Sequence, residues 1–257
     1  MGKIISVANQ KGGVGKTTSA INLASALAIA EKKTLLVDSD SQGNATTGLG
    51  ISFSDIREAN LYHALIGLKR AREVCMETIL PFLSLIPADQ NLIGAEIELI
   101  QMEVRERRLE ETLQEIKADY DYIIIDCPPS LGLITINALV ASDMVIVPLQ
   151  CEYFAMEGLG HLLNTLKLVR NVYNPKLELG GILLTMFDRR NLLSHQVEKD
   201  VRKHFGEKVF NTVIPRNVRL SESPSHGLPI LLYDARSRGA IAYLELAQEI
   251  LKNGRFS

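Results

Sequence analysis

The first eighteen residues contain glycines, lysines and hydroxyl residues at a spacing that could bind phosphate. Gly15, Lys16 and Thr17 match the second half of the phosphate-binding pattern GxxxxGK[ST]. In such a loop, glycines let backbone N–H groups wrap the phosphates, and the helix that follows adds partial positive charge. Lys16 is therefore predicted to reach the β- and γ-phosphates of a nucleotide, Thr17 to ligate Mg²⁺, and Thr18 to hydrogen-bond the α-phosphate.

The first half of this loop departs from the ordinary pattern. Gln10 stands where the first glycine belongs, and the next four residues are Lys11, Gly12, Gly13 and Val14. The loop therefore holds two lysines, whereas the ordinary pattern has one. Because an apolar run, glycines, lysine, hydroxyls and an amphipathic run occur in the required order, we predict that the whole segment KGGVGKTT binds a nucleotide.

Carboxylates follow two other apolar runs. Asp126 ends the run YIIID, where a carboxylate can hold Mg²⁺ through water. Asp38 and Asp40 follow the run LLV; we predict that Asp38 supports the Mg²⁺ shell and that Asp40 orients the attacking water. A carboxylate at the end of a strand is more often a cap or turn residue, so these roles depend on the neighbouring phosphate loop.

Short β-branched runs alternate with helical patterns along all 257 residues. The predicted strands are 3–8, 34–37, 83–86, 122–125, 144–147, 179–184 and 209–214. The predicted helices are 17–30, 95–117, 135–141, 156–172, 194–205 and 239–253. This alternation predicts an α/β fold, a doubly wound and mostly parallel sheet flanked by helices. Ligands of such sheets bind at the carboxyl ends of the strands, where the predicted site residues lie.

Composition and length favour one domain. Hydrophobic residues make up 46% and charged residues 23%, and no Pro-, Gly- or Ser-rich block divides the sequence. We predict a single domain over residues 1–257, with no separate helix-turn-helix domain.

The cysteines and the apolar runs bear on the kind of protein. Cys75, Cys127 and Cys151 form no CxxC pair, so neither a zinc nor an iron–sulfur site is indicated. No run approaches the roughly 18 apolar residues that span a bilayer, and the N-terminus begins with a strand pattern that leaves no room for a signal peptide. We expect a cytoplasmic protein that does not bind membranes.

Positive charge is concentrated between residues 189 and 219. Eight Lys/Arg and three Asp/Glu give this segment a balance of +5, which leaves −7 for the rest of a chain whose net charge is −2. The candidate DNA-binding residues are Arg189, Arg190, Lys199, Arg202, Lys203, Arg216 and Arg219. Few aromatic residues lie among them, which favours contact with the duplex backbone over stacking on single-stranded bases. The alternative is a helix with an exposed charged face.

Taken together, the motifs resemble the deviant Walker A ATPases, and within them the ParA/Soj-type chromosome- and plasmid-partitioning proteins. The matching segments are KGGVGKTT at 11–18, VDSDSQGN at 37–44, IIIDCPPS at 123–130, QCEYFAMEGL at 150–159 and VIPRNVRLSESPSHG at 213–227. The resemblance covers essentially the whole chain. Ser41 departs from it, because the family usually has proline after the second aspartate.

The resemblance implies further roles for particular residues. In the family, the first lysine of the loop reaches the partner's phosphates in an ATP-sandwich dimer, a role that falls on Lys11. The implied catalytic set is then Lys11, Lys16 and Asp40. The family's adenine-binding segment matches Pro215, Arg216 and Asn217. A glutamate near the nucleotide and the dimer interface matches Glu152.

The resemblance also implies an output for ATP hydrolysis. The family's ATP-bound homodimer binds double-stranded DNA without sequence preference, which would place it on the nucleoid, and a ParB/Spo0J-type centromere-binding protein stimulates hydrolysis. A second hypothesis remains open, in which the chain is a nucleotide-switched regulator that acts mainly on protein partners such as a replication initiator. The two differ in whether residues 189–219 bind DNA.

Overall fold

The computed structural model describes residues 2–152 and 155–256, and within them the strands form one seven-stranded sheet. The strands are β1 (Lys3–Val7), β2 (Thr34–Asp38), β3 (Met76–Glu77), β4 (Leu83–Ile86), β5 (Tyr122–Asp126), β6 (Met144–Gln150) and β7 (Glu178–Thr185). Their order is β3-β4-β2-β5-β1-β6-β7, and every neighbouring pair is parallel except β3 with β4. The predicted doubly wound, mostly parallel α/β fold is confirmed.

Helices connect the strands. They are α1 (Lys16–Ile29), α2 (Asn44–Gly48), α3 (Leu61–Leu65), α4 (Ala71–Val74), α5 (Leu92–Leu99), α6 (Arg108–Gln114), α7 (Leu133–Ala141), α8 (Ala155–Val172), α9 (Leu192–Phe205), α10 (Val218–Glu222), α11 (Ile230–Tyr233) and α12 (Arg238–Lys252). Short 3₁₀ helices span Phe53–Asp55, Arg105–Arg107, Lys117–Asp119, Gly206–Lys208, Ser223–His226 and Gly254–Phe256. Of the helices in the described ranges, none is long and apolar enough to cross a lipid bilayer.

The sheet separates two apolar cores. Successive strand residues point to opposite faces, so Ile4 of β1 lies in one core and Ile5 in the other. The Ile5 side is covered by α1 and α12, which contact each other, and the Ile4 side includes residues of α5 to α8. Because β1, β2 and β5 are covered on both faces, as their apolar runs indicate, their ends are held firmly where the site residues follow.

The single helix predicted over residues 95–117 is wrong. The chain forms α5, a turn, a 3₁₀ helix and α6 in its place. Val104 adopts a left-handed conformation with φ of 55°, which interrupts helical geometry. The buried Asn137 side chain on α7 then donates to the Arg105 carbonyl at 2.8 Å and accepts from the Leu109 N–H at 3.1 Å. The break is therefore held by a contact with a distant part of the chain.

The strand predicted over residues 209–214 is also wrong. This segment lies along β7 and forms two isolated parallel bridges, Ile182 with Val209 and Phe187 with Pro215. Between them, the backbone N–H groups of residues 211 and 212 donate to the carboxylate of Glu249 at 2.7 and 2.9 Å. Since these groups are bonded to a side chain of α12, no continuous ladder with β7 forms.

Candidate active site

β1, β2 and β5 end at one edge of the sheet, and predicted site residues follow each of them. In the strand register, Val7 of β1 and Asp38 of β2 both stand beside Asp126 of β5. The loop of residues 8–15 leaves β1 at this edge and leads into α1. The topology therefore brings the predicted phosphate loop and the predicted carboxylates together.

The loop is anchored at both ends and open in its middle. Asn9 donates from its side-chain amide to the Pro148 carbonyl at 2.7 Å and accepts from the Lys11 N–H at 3.0 Å. At the other end, the buried Val14 accepts from the Thr185 hydroxyl through its carbonyl at 2.9 Å. Gly12 and Gly13 between these anchors are exposed, and nothing would meet a Cβ added at either. The backbone there is free to face a ligand.

The N-terminus of α1 has the properties of an anion site. Gly15 precedes the helix with φ of 86°, a conformation that favours glycine, and no side chain caps the helix. Ser19 is the first residue whose N–H takes part in the helical hydrogen-bond pattern, because it donates to the Gly15 carbonyl at 2.9 Å. Within the described residues, the N–H groups of Lys16, Thr17 and Thr18 thus have no acceptor, and an anion would satisfy them.

Lys16 lies where a bound phosphate would meet it. Its side chain is buried, and its Nζ donates to the Lys11 carbonyl at 3.2 Å. Burial lowers the pKa of Lys16, an effect that the nearby charges of Asp126, Cys127 and Asp40 partly offset. The ammonium group is thus held beneath the loop with one neutral acceptor, and it can still donate to phosphate oxygens.

Asp126 is the least satisfied polar group of the site. It is fully buried, and neither carboxylate oxygen completes a hydrogen bond with any described residue. Burial, and then the charge of Asp38, raise the pKa of Asp126 well above its usual value, and the approach of Thr17 offsets this only in part. An unpartnered buried carboxylate beside a hydroxyl fits the oxygen ligands that Mg²⁺ prefers.

Asp38 differs from Asp126 in its partners. One of its oxygens accepts from the Thr46 N–H and from the Thr46 hydroxyl, each at 2.8 Å, and the other accepts from the Asp40 N–H at 3.2 Å. Burial nevertheless raises the pKa of Asp38. With both oxygens already engaged, Asp38 is suited to supporting a metal-bound water more than to direct ligation.

Asp40 is buried at the turn that follows β2. One carboxylate oxygen accepts from the Gln42 N–H at 3.0 Å, and its second oxygen has no partner in the described part of the chain. The Asp40 carbonyl also accepts from the Gly43 N–H at 2.9 Å, so the turn closes with Ser41 in place of the family's proline. A carboxylate with one free oxygen can hold a water molecule.

Lys11 and Glu152 form an ion pair across the loop. Both side chains are roughly half exposed, and Glu152 lies just after β6. Two residues of the segment QCEYFAMEGL, Tyr153 and Phe154, lie outside the described residues. Glu152 and Lys11, both of which the family resemblance assigns to the nucleotide site, thus lie side by side.

The predicted adenine segment borders a cleft of about 980 Å³. Pro215, Arg216 and Asn217 all line it, and the Arg216 N–H donates to the Phe187 carbonyl at 3.0 Å. Asn217 caps α10 by accepting from the Leu220 N–H at 3.3 Å. Ile241, an exposed apolar residue of the lining, offers surface for a planar ring.

Some of the candidate DNA-binding residues line the cleft, and others lie on α9. Arg189, Arg190 and Arg216 line the cleft, as does Arg238, which lies outside the segment 189–219. Lys199 and Lys203 are exposed on α9. Three of the candidates have acidic neighbours: Arg190 pairs with Asp188 at 3.2 Å, Arg202 with Glu198 at 3.0 Å, and Arg219 with Glu222 at 2.9 Å and with Asp234 at 3.5 Å.

Two further site residues were missed. Thr46 donates to Asp38, and Thr185 holds the phosphate loop through Val14. A threonine after a strand-end carboxylate, in the sequence VDSDSQGNATT, was the only local indication of the first. Nothing near Thr185 in sequence indicates the second, because its partner is 171 residues away.

Known proteins resemble this chain along its whole length. The family model described as an AAA domain matches residues 2–179. The sporulation initiation inhibitor protein Soj of Bacillus subtilis is 56% identical over 254 residues, which cover 99% of this chain and 100% of that protein. The chromosome partitioning protein ParA of Myxococcus xanthus is 54% identical over 98% of this chain and 89% of its own length.

A solved structure extends the comparison to a bound nucleotide. Cobyrinic acid a,c-diamide synthase from Mycobacterium smegmatis, crystallised with ADP and magnesium, is 38% identical. It superposes with a TM-score of 0.86, covering 98% of this chain and 95% of that one. The whole fold is thus shared with a protein that binds a nucleotide and magnesium.

Proposed function

This chain belongs to the Soj/ParA family of chromosome-partitioning ATPases, and on that premise we propose that it is a DNA-partitioning switch driven by ATP. Two copies share each other's ATP in a sandwich dimer. The dimer binds double-stranded DNA without sequence preference and associates with the nucleoid. Hydrolysis, stimulated by a ParB-type centromere-binding protein, releases it.

One observation carries this proposal. The uncapped N-terminus of α1, the buried Lys16 ammonium and the unpartnered Asp126 carboxylate meet at one edge of the sheet. The first two complement phosphate oxygens, and the third complements a divalent cation. The ADP and magnesium bound to the similar synthase support ATP and Mg²⁺ as the cofactors of this chain.

The roles of the loop residues follow from their positions. The N–H groups that begin α1, with those of the glycines, cradle the phosphates, and Lys16 donates to the β- and γ-phosphate oxygens. Thr17 and Asp126 would hold Mg²⁺, with Asp38 beside them to support its water ligands. Mg²⁺, when bound, would supply positive charge to the phosphate oxygens.

Asp40 and Lys11 act on hydrolysis in different ways. The free oxygen of Asp40 accepts a hydrogen bond from the attacking water and so orients it. Lys11 leaves Glu152 and reaches the phosphates bound by the partner copy. An ATPase built this way turns over slowly as a monomer, because one charged donor comes from the second copy.

The residues that bind DNA are the exposed cations of residues 189–219. Arg189 is exposed at the cleft, and Lys199 and Lys203 are exposed along α9. Ion pairs at exposed positions contribute little to stability, so the paired arginines can exchange a carboxylate for a DNA phosphate. In this proposal, ATP hydrolysis and DNA binding both belong to one domain of residues 1–257.

A DNA titration tests the proposal. Duplexes of unrelated sequence are titrated with the protein in ATP, in ADP and without nucleotide, at several salt concentrations. We expect ATP-dependent binding that ignores sequence and weakens steeply with salt, because phosphate contacts release counterions. Equal binding in ATP and ADP, or none, would favour the alternative, a nucleotide-switched regulator that acts on protein partners.

A further inference from the structure

Thr185, the last residue of β7, contacts the phosphate loop from the side. Only 2% of its surface is exposed, and its hydroxyl donates to the carbonyl of the buried Val14 at 2.9 Å. A Cβ added at Gly15 would lie 3.9 Å from Thr185 Cγ2, so the methyl group of Thr185 lies beside the next residue of the loop. The end of β7 therefore reaches the loop through a hydrogen bond and an apolar contact.

The hydrogen bond to Val14 determines where the following N–H group points. The peptide bond between Val14 and Gly15 is trans, so its carbonyl and its N–H point in opposite directions. Because the carbonyl is directed at Thr185, the Gly15 N–H is directed away from it, and no described residue accepts from this N–H. Gly15 is left-handed, with φ of 86°, and Lys16 begins α1. Successive N–H groups in this combination form a concavity that binds anions. Thr185 thus orients one donor of the predicted phosphate cradle.

A β-bulge sets the position of Thr185. In a regular parallel ladder, the residue that donates to the Leu184 carbonyl would accept from the N–H of residue 186. Here Ile214 donates to Leu184 at 2.9 Å but accepts from the Phe187 N–H at 3.0 Å, so this side has one residue more than its neighbour. Within the bulge, Met186 is left-handed with φ of 50°, which is uncommon for a residue with a side chain. Backbone of this kind persists where the surrounding structure imposes it, often at functional sites.

The backbone around Thr185 is held independently of its hydroxyl. Thr185 pairs with Gln150 of β6, and beyond the bulge the Phe187 carbonyl accepts from the Arg216 N–H at 3.0 Å. Backbone hydrogen bonds therefore fix the chain on both sides of Met186. Removing the hydroxyl would release the Val14 carbonyl and leave β7 in place, so a loss of nucleotide binding would report on the loop.

We propose that Thr185 is a positioning residue for the ATPase reaction. Its hydroxyl, placed by the bulge at Met186, holds the Val14 carbonyl so that the Gly15 N–H faces the phosphates of the nucleotide. This inference rests on the nucleotide binding of the proposed function, and not on its DNA or partner steps. A loop held in its binding geometry before the ligand arrives loses less conformational freedom on binding. Because the backbone of such loops cradles the phosphates that ADP and ATP share, Thr185 acts on the affinity for both.

The experiment compares three variants of the full chain with wild type. Thr185→Val removes the hydroxyl and nearly keeps the side-chain volume, whereas Thr185→Ser keeps the hydroxyl and removes the methyl group. Thr34→Val is the matched control, because the buried Thr34 also donates to a backbone carbonyl, that of Lys32 at 2.9 Å, but at the opposite end of the strands. Four quantities are measured for each protein: the affinity for ADP, the affinity for a slowly hydrolysed ATP analogue, KM and kcat for ATP, and the stability to denaturant without nucleotide.

We expect Thr185→Val to bind ADP and the ATP analogue about tenfold more weakly, the effect of one hydrogen bond whose buried partner is left unpaired. KM for ATP should rise by the same factor, while kcat stays within about twofold of wild type, because the contact is equally present before and during the reaction. Thr185→Ser should regain most of the affinity. Thr34→Val should bind nucleotides as wild type does and lose as much stability as Thr185→Val, which separates positioning of the loop from support of the fold.

Four results would overturn the inference. Wild-type affinity in Thr185→Val would show that the hydroxyl only stabilises the fold. Equal losses in Thr185→Val and Thr185→Ser would show that the methyl group beside Gly15 holds the loop. A lower kcat at unchanged KM would mean that Thr185 acts on the transition state and not on nucleotide binding. If wild type itself does not bind the analogue, the ATP site of the proposed function fails as well, a result that the wild-type measurement distinguishes from the other three.

Discussion

The ammonium group of Lys11 is paired with the carboxylate of Glu152 of the same copy, 141 residues further along the chain. In the proposed dimer, Lys11 reaches the nucleotide of the other copy. Both conditions cannot hold at once, because one ammonium group cannot occupy both positions. The ion pair therefore competes with dimerisation.

Removing the charge of Glu152 should favour the dimer. An exposed pair contributes about 0–1 kcal/mol and each of the two copies gives one up, so Glu152→Gln should lower the protein concentration needed for dimerisation in a slowly hydrolysed ATP analogue by up to about thirtyfold. Analytical ultracentrifugation measures this, with Glu157→Gln as a control on α8 and Lys11→Ala as a variant that should bind the analogue and stay monomeric. A weaker dimer in Glu152→Gln would mean that Glu152 guides Lys11 to its target.

Asp126→Asn should stabilise the nucleotide-free protein. A buried carboxylate without partners opposes folding, so a neutral amide there should raise the free energy of unfolding by about 1–3 kcal/mol in EDTA. The same variant should lose the stabilisation that Mg²⁺ and ATP give wild type. Denaturant titrations in both conditions measure the two effects.

Asp143→Asn serves as the contrasting variant in that experiment. Asp143 accepts from the Ile4 N–H at 2.8 Å and pairs with Lys117 at 3.1 Å, so its replacement should destabilise the protein by about 1–2 kcal/mol. If Asp126→Asn were equally destabilising without ligand, Asp126 would have a structural partner in solution.

Asp40→Ala should separate binding from hydrolysis. The substitution removes the oxygen that orients water but leaves the phosphate cradle, so hydrolysis should fall about 100-fold or more while ATP binding persists. The variant should accumulate as a DNA-bound dimer, which a sedimentation assay with labelled duplex detects. Normal turnover in this variant would contradict the role of Asp40 in orienting water. Asp55→Ala, at an exposed carboxylate, is the control.

Charge reversal at Arg189 should weaken DNA binding more than reversal at Arg219. Arg189 has no acidic partner in the described residues, whereas Glu222 and Asp234 already neutralise Arg219. Each lost phosphate contact should reduce the slope of log affinity against log salt by about 1. Dimerisation should not change, and Arg170→Glu on α8 controls for net charge. An unchanged slope in Arg189→Glu would place the DNA surface elsewhere.

The active-site residues could be predicted because their positions follow from local pattern and topology. A glycine-rich loop between a strand and a helix is read directly from the sequence, and parallel strands bring their ends to one edge, so Asp38 and Asp126 had to meet there. The difference between them was not predictable. Asp38 has hydrogen-bond partners because Thr46 donates to it, whereas Asp126 has none, and the sequence does not show which carboxylate Thr46 contacts.

The predictions that failed did so where a distant side chain decides the backbone. Asn137 fixes the break between α5 and α6, and Glu249 takes the N–H groups that would have extended the sheet. Helical periodicity and β-branched runs describe only near neighbours, so neither contact is visible to them.

The carboxylate of Glu249 also bears on how copies of the chain can associate. Segment 209–215 covers the outer side of β7, and at the other end of the sheet β3 is only two residues long. In the described part of the chain, neither border offers a long row of free backbone groups on which another molecule could add a strand. This arrangement protects the molecule from aggregation by strand addition. Association is then confined to surfaces whose side chains determine which partner binds.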